Sequence, residues 1–129
     1  MDMAQSMINI SSIYSEIGNH SRSLLYAEKA VEIIEPAYEE RYPADMGSPE
    51  FKIKFSTVVA NTYHTAAIEY DFADDFSNCL IMYQKALRVS KINLGNGHPL
   101  TQTLETNFEN AKERINLNPT IANRSRAQN

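Results

Sequence analysis

Helix breakers are scarce and clustered in this chain. Its 4 Gly and 5 Pro fall at a few places in 129 residues, so long uninterrupted elements are expected between them. Within those stretches apolar residues recur three and four apart, the spacing of one helix face. Met3, Met7, Ile10, Ile13, Tyr14 and Ile17 form the first stripe, which stops at Gly18-Asn19. Asn19 or Ser21 can cap a second helix with the stripe Leu24, Ala27, Val31, Ile34 and Tyr38. Pro36 sits late in that helix and is expected to end or kink it, because it removes an amide donor. After a connector over 41–47, Ser48-Pro49-Glu50 combines a hydroxyl cap, a proline at the first helical position and a first-turn carboxylate. The third stripe follows as Phe51, Phe55, Val58, Val59, Thr62, Ala66 and Tyr70. Asp74-Asp75 caps the fourth, Phe76, Leu80, Tyr83, Leu87 and Ser90. Beyond Gly95-Asn96-Gly97-His98-Pro99, the fifth runs through Leu100, Leu104, Phe108, Ala111 and Ile115. The pattern predicts five helices and no strand, an all-α chain of antiparallel hairpins.

Residues 1–116 form one domain in this reading. Residues 117–129 hold too few apolar side chains to offset the cost of ordering and are expected to be a polar tail. A formal charge of −4 argues against a nucleic-acid backbone as partner, which requires a cationic surface. No apolar run approaches the roughly 20 residues of a membrane-spanning helix, and no basic-then-apolar leader is present. The single cysteine, Cys79, cannot close an internal disulfide, so a cytoplasmic location is expected.

The second and fourth helices superpose by a shift of 56 residues, which lays Tyr26–Ala30 on Met82–Ala86, Ser23 on Cys79, Ser11 on Ala67 and Tyr14 on Tyr70. Small residues at matched places let helices approach closely, and a repeated helix pair marks a solenoid. This unit resembles the tetratricopeptide repeat. Tyr14, Gly18, Ser23, Ala27 and Ala30 stand where that family has its aromatic, its turn glycine and its small packing residues; Ala67, Tyr70, Cys79, Tyr83 and Ala86 do so in the second unit. Leu94-Gly95-Asn96-Gly97-His98-Pro99 is similar to the junction of kinesin-light-chain-type repeats. The spacing departs from the family's period of about 34 or about 42 residues, which implies extended helices and a longer loop around Pro43. The fold implied is a short solenoid of antiparallel helix pairs.

The resemblance also implies a concave groove lined by the first helix of each pair. Carried over position by position, that groove holds Gln5, Ile8, Asn9 and Ser12 from the first unit, and Asn61, His64, Thr65 and Ile68 from the second. These amides, hydroxyls, imidazole and aliphatic suit a peptide backbone with one apolar anchor. No basic residue stands there to clamp a terminal carboxylate.

Enzyme chemistry finds no support in the residues. His20, His64 and His98 have no second ligand at metal spacing, and no cofactor is expected. Cys79 matches Ser23, so its position asks for a small buried side chain rather than a nucleophile. The expected function is a non-enzymatic protein-interaction or scaffold module. The alternatives are a structural subunit of a larger assembly, cytoskeletal or ciliary, held through an exposed apolar end at Met3, Met7 and Ile10, or the helical C-terminal part of a larger enzyme.

Overall fold

A computed structural model describes residues 2–117; of the expected tail over 117–129, Leu117 belongs to the last helix and 118–129 lie outside the described residues. Five helices follow in order: α1 (Asp2–Glu16), α2 (His20–Arg41), α3 (Pro49–Phe72), α4 (Phe76–Asn93) and α5 (Pro99–Leu117), with no strand among the described residues. Local chemistry sets each start. The side chains of Asn19, Ser48 and Asp75 accept from the backbone N–H of Arg22, Phe51 and Asn78, at 3.2, 3.1 and 3.2 Å. Each bond satisfies an otherwise orphaned first-turn donor. His98 opens α5 differently, its Nδ1 accepting the Leu100 N–H at 3.1 Å. Gly18 and Gly95 take φ of +82° and +96°, the left-handed conformation that ends the preceding helix and suits glycine. Pro36 does not end α2, which runs on through it to Arg41. Pro36 is exposed, so the carbonyl that loses its donor can bond water instead.

The helices pair as α1 with α2 and α3 with α4, then α2 packs on α3 and α4 on α5. Cross-helix bonds give the directions. Ser90 bonds Thr101, and Tyr83 meets Phe108, the signature of antiparallel neighbours. Along the array, His64 bonds Asn107 while Asp71 pairs with Arg114 at a constant offset, so α3 and α5 run parallel. Glu35–Lys85 and Tyr38–Asn93, whose positions rise together along both helices, give α2 and α4 the same sense. The architecture is therefore a short all-α solenoid of antiparallel helix pairs, with the core between them: Ala27, Ile34, Val59, Ala60, Ala66, Ala67, Cys79, Ala86 and Leu104 are all 0 % exposed.

The long repeat spacing has a local source. The last turns of α2 and the first turns of α3 pack as an aromatic cluster, Tyr38 on Tyr42 (5.3 Å) and Phe55 (6.2 Å), Phe51 on Phe55 (5.6 Å). Arg41 lies over Phe51 at 5.3 Å, and Met46 of the connector is buried beside them.

In α1 the structure reverses what apolarity suggests. The inward face is Ala4, Ile8 and Ser11, whereas Met3, Ile13 and Ile17 are 62, 59 and 70 % exposed. Small residues win because they allow a close approach to α2. There Ser11 Oγ donates to the Ser23 carbonyl and Ser23 Oγ to the Ser11 carbonyl, both at 2.8 Å. These bonds satisfy two fully buried hydroxyls that would otherwise each cost about 1–3 kcal/mol.

Candidate protein-binding groove

With its small face turned inward and its apolar stripe outward, α1 has a third face of Gln5, Asn9, Ser12 and Glu16, all exposed. Gln5 Nε2 donates to Asn9 Oδ1 at 3.1 Å. Across from it on α3, Thr65 and Ile68 join Ser12, Ser15, Glu16 and Glu69 around one hollow of about 290 Å³. The structure thus brings Ser12, Thr65 and Ile68 together, leaves Asn61 exposed one turn away, and buries Ile8 in the core at 8 % exposure. Ile8 is therefore a packing residue and no part of the surface expected for it.

His64 is half-buried on the α5 side of α3. Asn107 Nδ2 lies 3.2 Å from its Nε2 and the Tyr83 ring 5.8 Å from its own. Burial holds its pKa below the ordinary 6.5, so at neutral pH the ring is uncharged and Nε2 accepts from the amide. The unfolded chain then binds a proton that the folded one refuses as pH falls below 6.5, and stability falls with it. We expect the urea midpoint to drop between neutral pH and about pH 5, and to drop less in His64→Gln. Equal drops in both chains would show that His64 does not carry the effect.

Two contributors were not legible in the sequence. Glu69 closes the hollow at 3 % exposure, its Oε2 3.2 Å from His20 Nδ1, with the His20 ring stacked on Phe72 at 3.9 Å. The 56-residue shift puts Glu69 on Ile13, and that mismatch of charge with apolar is its only sequence signal. Asn107 fixes His64 from a helix that the repeat does not cover. The hollow's lining holds two carboxylates and no cation.

A second cavity, about 320 Å³, opens between α2 and α4 beside Tyr38, Tyr42, Tyr63 and Lys85. Its polar groups serve the fold: Lys85 Nζ bonds Glu35 Oε1 at 2.9 Å and lies 5.7 Å over the Tyr63 ring, and Asn93 Nδ2 donates to Tyr38 OH at 2.8 Å. Cys79 is fully buried. Burial, with Asp71 nearby, pushes its thiol up to about 12, so it stays protonated and unreactive. Among the described residues no group of three or more His, Cys, Asp or Glu side chains is placed to hold a metal ion, and no helix is long and apolar enough to cross a membrane.

Comparison with known proteins gives one similarity. Residues 3–39, which span α1 and most of α2, match the family model described as tetratricopeptide repeat. No curated protein and no solved structure matches the chain with significance. The matched segment is similar to a repeat consistent with a protein–protein interaction module.

Proposed function

We propose that this chain is a non-enzymatic interaction module that receives an extended segment of a protein partner across α1, α3 and α5. The hollow shared by Ser12, Thr65 and Ile68 carries this reading. It offers hydroxyls for a peptide backbone beside one aliphatic surface, and Ile68 is 37 % exposed. Gln5, Asn9 and Asn61 extend the polar floor along the same helices, and neutral His64 adds a ring edge at the α5 side. Glu16 and Glu69 favour a basic residue beside the anchor and disfavour an acidic terminus. A surface of this size and polarity supports modest affinity, drawn from area and a few hydrogen bonds.

Selection from a random peptide library of about a dozen residues per member, long enough to cross the three helices, tests the proposal. Enriched peptides are expected to carry an aliphatic residue near a Lys or Arg. Ile68→Asp is expected to weaken them by about tenfold, the 1.4 kcal/mol lost with one apolar anchor. No enrichment, or binding indifferent to both Ile68→Asp and Ser12→Arg, would sink it.

A further inference from the structure

On the outward face of α1, Met3, Ile13 and Ile17 are 62, 59 and 70 % exposed and Met7 and Ile10 are half-buried, and the fold itself shows that such a face is an interface position. The 56-residue shift lays Met3, Met7 and Ile10 on Val59, Tyr63 and Ala66. In the second unit all three are buried at 0–4 %, beneath the preceding helix pair. In the first unit the matching residues are large and apolar, and Met3 is 62 % exposed. The last described helix carries a different surface. The outer face of α5 presents Gln102, Glu105, Glu109 and Glu113, all exposed, a polar cap of the kind that ends a solenoid. Head-to-tail stacking of copies would press this glutamate row onto the apolar stripe, so it is disfavoured.

Two features of the stripe select its occupant. Met3, Met7, Ile10, Ile13 and Ile17 are a palindrome in position: about Ile10 the residues lie three and seven places to either side. A two-fold axis through Ile10 therefore maps the stripe onto itself between antiparallel helices, setting Met3 against Ile17 and Met7 against Ile13 of the other copy. Such self-complementarity is what an isologous interface requires. Second, α1 carries no charged residue from Met3 to Ser15, so two copies meet without like-charge repulsion. Depletion of charge is also the compositional mark of an interface core. Antiparallel helices further align their dipoles favourably. The segment 118–129 is a poor cover, since its only large aliphatic is Ile121.

From this we infer that a second copy of the chain occupies the face, the two α1 helices packing antiparallel about Ile10. The surface is distinct from the groove, because Gln5, Asn9 and Ser12 stay exposed on the neighbouring face of α1.

Sedimentation equilibrium of the whole chain between about 1 and about 100 micromolar is expected to give a dimer. The double variant Ile13→Lys, Ile17→Lys alters two mostly exposed side chains, so its circular dichroism is expected to stay unchanged. Its dimer dissociation constant is expected to rise at least about a hundredfold. Geometry is read separately by oxidation. Ile10→Cys, on the axis, is expected to cross-link with itself, and Gln5→Cys, on the groove face, is not; buried Cys79 does not interfere. A monomer throughout the range, a dimer indifferent to the lysine pair, or equal cross-linking at positions 5 and 10 would each overturn the inference.

Discussion

Shortening Leu104 to alanine is expected to cost about 3 kcal/mol, with much of the loss confined to α5. Leu104 is 0 % exposed and belongs to a terminal helix whose main support is α4. Removing its branched end leaves a cavity on one side of a helix that has no neighbour on the other among the described residues. Collapse of that space requires α5 to shift, and the Ser90–Thr101 and His64–Asn107 bonds would move with it. Urea unfolding measures the total loss. Hydrogen exchange is expected to show α5 amides opening well before those of α3. A loss under about 1 kcal/mol, or uniform loosening of all five helices, would mean that α5 is not held by this side chain.

The opposite error is expected to be as damaging at position 67. Ala67→Leu adds a branched side chain where α3 and α4 meet, at a site matching Ser11 and opposite Cys79, whose own match is Ser23. Both Ala67 and Cys79 are 0 % exposed. Overpacking of this kind costs about 1–3 kcal/mol, and the upper end applies here because helix backbones, rather than side chains, must give way. The matched units supply a control. Ala67→Ser with Cys79→Ser installs the pair that the first unit already uses, and the reciprocal hydroxyl-to-carbonyl bonds of Ser11 and Ser23 should re-form. That double variant is expected to stay within about 1 kcal/mol of the parent chain. Melting temperatures of the two variants decide the matter, and a tolerated leucine would show that the helices are not in close approach at this point.

These expectations rest on different layers of information. Chain segmentation was legible because its causes are local. A capping side chain such as Ser48 or Asp75 acts within three residues, a left-handed glycine such as Gly18 ends its own helix, and a 3.6-residue apolar period needs no knowledge of the rest of the chain. The matched small residues were legible too, since Ser11, Ser23, Ala67 and Cys79 are constrained by repetition. The proposed binding surface, Gln5, Asn9, Ser12, Asn61, His64, Thr65 and Ile68, was drawn from the repeat resemblance, and three of the seven, Ser12, Thr65 and Ile68, line one hollow.

What the sequence could not decide was which way a helix turns when two of its faces can pack. On α1 the more apolar face lies outward, because Ala4 and Ser11 bring α2 closer than methionine and isoleucine permit. Nor could it place Glu69 in the hollow beside Ser12 and Thr65 or Asn107 on His64, since both depend on helices far apart in sequence. Local chemistry fixes where each helix begins and ends; the distance at which neighbouring backbones can meet decides what each buries and what it leaves for a partner.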